Sequence, residues 1–146
     1  NLYTIRVRLM QLINVNWANA AGGYTTFASL RTLGGKIFVL REINVDVLTP
    51  LLAVEYQNLN NNWRVCVNGN PVQGLTELCF NPTVTGKASV TCFVVVPSNS
   101  LLEIQKNITV HPTGDPCTSA EWHTQLRGNM LDTQNVTLPW EPCNVE

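Results

Sequence analysis

The sequence predicts an all-β fold, an antiparallel β-sandwich of the jelly-roll or immunoglobulin-like (Ig-like) type. Three observations predict it: segments in which apolar and polar residues alternate, turn-forming residues about every 8–14 positions, and cysteines placed inside short apolar runs. Alternation with a period of two is typical of strands that bury one face. At 146 residues, 45% of them apolar, the chain is long enough to bury a core. No repeat or linker divides it, so residues 1–146 are expected to form one domain.

The N-terminal part contains two segments with clear alternation, residues 2–13 and residues 36–48. Arg41 interrupts the apolar face of the second segment, which predicts a bulge or a surface exit there. Between them, residues 25–33 have apolar side chains at helical spacing, yet their threonines suit a strand equally well. Residues 25–33 are therefore compatible with either a helix or a strand.

Residues 63–96 are predicted to form three strands, separated by turns near residues 68–71 and 81–86. The last of these strands is apolar on both faces from Cys92 onward, which favours a central position in its sheet. Residues 101–110 alternate again and form a further strand. Trp63, at the start of the block, and Trp122 are expected to pack in the core.

One short helix is predicted near residues 119–127. Thr118 and Glu121 have the spacing of a capping box, Trp122 and Leu126 are four residues apart, and Gly128 follows as a stop signal. The tail after residue 130 shows no periodicity and is expected to be irregular.

Five cysteines are expected to form two disulfides and to leave one thiol. A bridge between Cys117 and Cys143 is predicted because both lie in the loop-rich tail, and closing a loop of about 27 residues would contribute about 3–4 kcal/mol. A second bridge is expected to join two of Cys66, Cys79 and Cys92 and so to staple the sandwich. The fifth thiol is expected to be buried, to pair with a second chain, or to have its partner outside this sequence.

The polar residues favour an extracellular, secreted glycoprotein. There are 17 asparagines and only 3 lysines, and Asn107-Ile-Thr and Asn135-Val-Thr are glycosylation sequons. Asn107 lies on the polar side of its predicted strand, where a glycan reaches solvent. No apolar run is long enough for a membrane span. A mature ectodomain or a piece of a longer chain is expected.

One stretch resembles a known family. The residues Val-Glu-Tyr at 54–56, Asn-Trp-Arg-Val-Cys at 62–66 and Leu-Cys at 78–79 are similar to the early strand and first two cysteines of scavenger receptor cysteine-rich domains. The resemblance covers about 25 of the 146 residues. The family's later W-L-D-x-V-x-C segment is missing, because Cys92 is followed by four apolar residues, so no function is carried over.

Composition and motifs argue against several functions. A net charge of −1 gives no electrostatic basis for binding nucleic acid. The cysteines lack the close pairs of zinc sites and the carboxylates are scattered, so neither a metal nor a cofactor is expected. An enzyme would need His123 with Asp132 and one of several serines, and no nucleophile-elbow motif supports that combination. His111, the other histidine, is expected at the end of a strand.

Loop aromatic residues are the remaining candidates for contact with a partner. Trp17 and Trp140 lie in polar or proline-rich segments, and Tyr24, Asn60 and Asn61 complete the predicted contact set. The leading hypothesis is a non-catalytic recognition or adhesion domain that binds a protein or glycan on another cell surface through its loops. Such domains occur on host receptors and on viral or microbial surface proteins. One alternative is an assembly domain that packs on neighbouring domains of the same chain, and another is an enzyme or small-ligand carrier with a sandwich pocket.

Overall fold

The computed structural model describes residues 4–16, 23–47, 62–75, 87–107 and 119–132. These residues form eight strands: β1 (Thr4–Asn16), β2 (Tyr24–Arg31), β3 (Lys36–Val47), β4 (Trp63–Val67), β5 (Asn70–Pro71), β6 (Lys87–Val96), β7 (Leu101–Asn107) and β8 (Ser119–Asp132). The all-β prediction is therefore confirmed for the described part of the chain. Within those ranges there is no helix long and apolar enough to cross a membrane.

The strands form two four-stranded antiparallel sheets. The front sheet has the order β1-β8-β3-β6, and the back sheet has the order β2-β7-β4-β5. Consecutive strands from β1 to β4 alternate between the sheets, and so do β6, β7 and β8. This is the strand order of an eight-stranded jelly roll, one of the two topologies expected.

The core lies between the two sheets and is built around three aromatic residues. Phe27 and Trp63 of the back sheet and Trp122 of the front sheet meet edge to face, with ring centroids 5.0–5.7 Å apart. All three are buried, as predicted for the two tryptophans. Such pairs each contribute about 0.5–1.5 kcal/mol beyond their area burial, so this trio joins the sheets face to face.

Several local predictions are confirmed. The register of β3 shifts between Leu40 and Glu42 against both neighbouring strands, which places the expected bulge at Arg41. The ambiguous segment 25–33 is a strand, β2, over most of its length. The turn predicted at residues 68–71 joins β4 to β5, and Asn68 and Gly69 both have the positive φ angles of a type I′ hairpin turn.

The helix predicted near residues 119–127 is wrong, because these residues lie in strand β8. A spacing of four residues, as between Trp122 and Leu126, fits a period of two as well as a period of 3.6. Thr124, between them, is also buried, which only the strand period explains. β8 pairs with β1 on one side and β3 on the other, so tertiary pairing decides the outcome.

Gly128, expected as a helix stop, serves instead as a close-packing position within β8. A Cβ at this residue would lie 2.7 Å from Cζ of Phe38 and would overlap the carbonyl oxygen of Val39. The glycine therefore lets the buried ring of Phe38 lie against the β8 backbone.

The central position predicted for the strand that contains Cys92 is also wrong. Among the strands that the structure describes, β6 pairs only with β3 and forms an edge of the front sheet. Phe93 and Val95 point outward and are 66% and 50% exposed. The apolar residues on both faces of β6 therefore reflect an exposed apolar patch rather than burial on both sides.

The expected bridge between two of Cys66, Cys79 and Cys92 is not formed, because Cys66 and Cys92 are free thiols and every such pair needs one of them. Cys66 lies on β4 and faces away from the core, while Cys92 lies on β6 of the opposite sheet and packs against the core. Side chains on different sheets that do not face each other cannot reach disulfide distance. Cys79 and the predicted Cys117–Cys143 bridge lie outside the described residues.

A buried hydrogen-bond cluster ties the end of β2 to the turn between β6 and β7. The backbone N–H of Thr32 donates to the Ser100 carbonyl at 2.9 Å, and the backbone N–H of Ser100 donates to Oγ1 of Thr32 at 2.9 Å. The Thr32 hydroxyl in turn donates to the Pro97 carbonyl at 2.5 Å. One buried side chain thus satisfies two backbone groups of the turn that connects the two sheets.

Candidate functional site

The outer face of the front sheet presents rows of side chains that run across the strands. In β8 the even-numbered residues from 122 to 128 are buried, so the odd-numbered ones face outward. Strand register then aligns these with the outward residues of the neighbouring strands. The three adjacent rows are Leu12–His123–Asp46–Lys87, Met10–Gln125–Asn44–Ser89 and Arg8–Arg127–Glu42–Thr91.

An open groove of about 460 Å³ lies on this face. Its middle is formed by the uncharged row, in which Gln125, Asn44 and Ser89 come from β8, β3 and β6. Met10 borders it on β1 and is 58% exposed. The volume lies within the range of about 300–1,000 Å³ that is usual for ligand sites. We call this feature the outer groove.

The side-chain amide of Asn44 is incompletely satisfied. Its Nδ2 atom is buried and donates no hydrogen bond within the described part of the chain. A buried amide donor without a partner costs about 1–3 kcal/mol.

The two ends of the outer groove differ in charge. At one end, Arg127 donates from Nε to Oε1 of Gln125 at 2.9 Å and approaches Glu42 with an Nη1–Oε1 distance of 3.5 Å. Arg8 lies directly opposite Arg127 across the β1–β8 pair. At the other end lie the carboxylate of Asp46, the ammonium group of Lys87 and the imidazole of His123.

His123 and Asp132, considered from the sequence as part of a catalytic site, do not lie close together in the structure. His123 contacts Glu121, with 3.3 Å between Nε2 and Oε2, whereas Asp132 pairs with Lys36 at 3.0 Å. His123 and Asp132 are nine residues apart on one strand, a separation of about 30 Å. Within the described ranges no three His, Cys, Asp or Glu residues are grouped to hold a metal ion.

Of the predicted contact residues, Tyr24 is the one that the structure describes. It begins β2 on the outer face of the back sheet and is 41% exposed, and the guanidinium carbon of Arg64 lies 3.6 Å from its ring centroid. Tyr24 therefore does not belong to the outer groove. The other predicted contact residues lie outside the described residues: Trp17, Trp140, Asn60 and Asn61.

One predicted glycosylation site, Asn107, lies away from the groove, and the other, Asn135, lies outside the described residues. Asn107 ends β7 on the outer face of the back sheet, directly opposite Tyr24, and its backbone N–H donates to the Asn62 carbonyl at 2.9 Å. A glycan on Asn107 would therefore cover the back sheet and leave the front sheet open. Asn135 lies outside the described residues.

Sequence reasoning missed the residues of the outer groove. The signal is present: residues 42, 44 and 46 and residues 121, 123, 125 and 127 are polar at every second position. In β8 this alternation was hidden by the helix prediction, which placed His123, Gln125 and Arg127 on different faces.

Comparisons with known proteins give no family. No protein-family model matches the chain. No curated protein matches it either. Among solved structures, a chain of the acidic stable capsid structure of Helicobacter pylori bacteriophage KHP30 is similar, with a TM-score of 0.41 and 9% identity over 86% of this chain and 92% of that chain. A family 35 carbohydrate binding module from Clostridium thermocellum is similar with a TM-score of 0.39 and 12% identity over 84% of this chain and 90% of that one. Neither likeness is close enough to bear on the fold or function of this chain.

Proposed function

We propose that this protein is a non-catalytic binding domain of an extracellular glycoprotein and that it holds a glycan in the outer groove. The observation that carries the proposal is the uncharged row of Asn44, Gln125 and Ser89, which crosses three strands at the middle of the groove. Amides and hydroxyls each offer both a donor and an acceptor. Sugar hydroxyls present the same combination, so this row is complementary to them.

The border of the groove supports the same ligand class. Met10 and Leu12 lie on the outer face of β1 and are 58% and 60% exposed. Sugar rings combine polar hydroxyl edges with apolar C–H faces, and an apolar border beside an amide row suits both.

The extracellular part of the proposal rests on the sequons and on where one of them lies. Asn107 is on the back sheet, so a glycan attached there leaves the outer groove accessible. Binding through a sheet face replaces binding through the loops as the leading arrangement, because the described residues offer a groove with complementary chemistry.

A glycan array followed by calorimetric titration of the best oligosaccharide tests the proposal. Asn44→Ala and Gln125→Ala should each weaken binding about tenfold, since each removes one or two hydrogen bonds to the ligand. Gln73→Ala is the matched control, because Gln73 is an exposed glutamine in the turn after β5, away from the groove. The proposal would be contradicted if no glycan on the array bound the protein, or if both groove variants kept the parent affinity while unfolding at the native temperature.

A second candidate function is assembly with neighbouring domains, and one observation favours it. Phe93 and Val95 form an exposed apolar patch on β6, and Arg41 lies 5.4 Å from the Phe93 ring centroid. Apolar side chains with an arginine are frequent in protein interfaces. Sedimentation velocity would test it: concentration-dependent association abolished by Phe93→Ser, without glycan binding, would favour assembly over recognition.

A further inference from the structure

Arginines are concentrated beside one end of the outer groove, where Arg127 lines it. Arg8 on β1 and Arg127 on β8 are directly opposite each other, and Arg6 lies two residues before Arg8 on the same outer face. Arg6 and Arg8 are exposed, and Arg127 has 43% of its side chain exposed. Like charges directly opposite on paired strands destabilise the pair. Three guanidinium groups with one carboxylate among them, that of Glu42, give this end a positive excess.

Two contacts hold the Arg127 guanidinium group in a position where it can bind an anion. Its Nε donates to Gln125 at 2.9 Å, and its Nη1 lies 3.5 Å from Oε1 of Glu42. A guanidinium has five N–H donors in a rigid plane, so further donors stay available on Arg127 after these two contacts. A planar, fixed guanidinium matches the two oxygens of a carboxylate or sulfate. Gln125 thus couples the arginine end to the uncharged middle of the groove.

The opposite end shows no such excess. Asp46 and Lys87 are directly opposite each other in the β3–β6 pair and balance in charge. His123, next to Asp46, contacts Glu121. An anionic group on a ligand in the groove would therefore be favoured at the Arg8–Arg127 end.

We infer that the ligand of the outer groove is an acidic glycan, with a carboxylate or sulfate bound between Arg8 and Arg127 and its hydroxyls on the uncharged row. This inference rests on the proposed function and adds the charge class and orientation of the ligand. Carboxylated and sulfated sugars share the chemistry that Arg8 and Arg127 recognise, and the experiment separates them.

Four probes of similar length test the inference by calorimetric titration. Chitohexaose is neutral, a hyaluronan hexasaccharide carries carboxylates, a chondroitin sulfate hexasaccharide carries both carboxylates and sulfates, and hexaglutamate is an acidic peptide. At least one acidic saccharide should bind about tenfold more tightly than chitohexaose, because its anion forms charge-assisted hydrogen bonds. That advantage should shrink when sodium chloride rises from about 50 mM to about 500 mM, since exposed charges are screened.

Variants distinguish the inference from the proposal beneath it. Arg8→Gln and Arg127→Gln should each remove most of the acidic preference, measured as the ratio of the acidic-saccharide affinity to the chitohexaose affinity of the same variant. Arg31→Gln is the matched control, because Arg31 is an exposed arginine at the end of β2 in the back sheet. Thermal unfolding of each variant confirms that the fold is retained.

Each outcome has a definite meaning. If chitohexaose binds as tightly as the acidic saccharides and only Asn44→Ala and Gln125→Ala weaken binding, the glycan function stands and the acidic class is refuted. If hexaglutamate binds more tightly than every saccharide, the ligand is an acidic peptide and both the inference and the glycan proposal fail. If none of the four probes binds, the inference is overturned.

Discussion

Replacement of Gly128 by alanine should destabilise the protein by about 2 kcal/mol, because β8 lies directly on the ring of Phe38. The added Cβ would lie 2.7 and 2.8 Å from Cζ and Cε1 of that ring and would overlap the Val39 carbonyl oxygen. Phe38 is fully buried, and the Val39 backbone belongs to the β3–β8 pairing. Neither neighbour can move without disturbing the core or the sheet.

The magnitude follows from two opposing effects. Overpacking by one methyl group costs about 1–3 kcal/mol, and two sources of overlap place this site near the upper limit. Alanine also restricts the unfolded chain more than glycine does, which returns about 0.4–1 kcal/mol. The net loss of about 2 kcal/mol corresponds to a decrease in Tm of about 6 °C for a domain of this size.

Urea unfolding followed by far-ultraviolet circular dichroism measures the free energy of unfolding, and calorimetry measures Tm. Gly34→Ala is the matched control, because the nearest atom to its added Cβ is 3.7 Å away in the Asn99 side chain. Its free energy of unfolding should not fall and should rise by at most about 1 kcal/mol, because only the restriction of the unfolded chain acts there. Phe38→Leu in the Gly128→Ala background should recover part of the loss, with a coupling energy of about 1 kcal/mol.

A different result would refute the placement of β8. If residues 119–127 formed a helix that ended before Gly128, the effects of Gly128→Ala and Phe38→Leu would add without coupling. Full additivity, or a Gly128→Ala variant as stable as the parent protein, would show that the glycine does not face the Phe38 ring.

Three further predictions concern the buried polar cluster, the thiols and the glycosylation site. Thr32→Val should lower the free energy of unfolding by about 2 kcal/mol in urea titrations, because it leaves buried backbone groups without hydrogen bonds. The control is Thr25→Val, at a half-buried threonine of β2, which should change the free energy of unfolding much less. Burial raises the pKa of the Cys66 and Cys92 thiols above the ordinary value for cysteine, so both should resist iodoacetamide at pH 8 in the folded protein and react after unfolding, as peptide mass mapping would show. Because the folded-state pKa is the raised one, their contribution to stability is present below about pH 9 and is lost as the pH rises through the folded-state pKa; a Cys66→Ala, Cys92→Ala double variant that kept the full alkaline loss would contradict this. Expression through a secretory pathway should give a glycan on Asn107, detected as a mass removed by Asn107→Gln, and an unmodified Asn107 would count against the extracellular assignment.

The sequence predicts those strands whose alternation is local and unambiguous. The segments that became β1, β3 and β7 alternate over at least seven residues, and the bulge at Arg41 follows from one charged residue on an apolar face. These features can be predicted from the alternation of buried and exposed residues along a single strand. The tryptophan core was predicted for a similar reason, since large aromatic side chains within apolar runs gain most from burial.

Other features depend on which strands become neighbours, and the sequence does not specify that locally. β8 was predicted as a helix because capping residues and a four-residue spacing agree with one, while its pairing with β1 and β3 is non-local. β6 was predicted as a central strand because both its faces are apolar, yet Phe93 and Val95 are exposed. The groove was missed for the same reason, because Asn44 and Gln125 are 81 residues apart and meet only through strand register.

The most direct test of the central claim is an amide NMR titration of the labelled protein with a hyaluronan hexasaccharide. We expect the side-chain amide signals of Asn44 and Gln125 to shift together with backbone signals of β3 and β8, and the Arg127 Nε signal to shift with the same affinity. Shifts confined to the back sheet around Tyr24, or spectra unchanged by the saccharide, would show that the outer groove does not bind an acidic glycan.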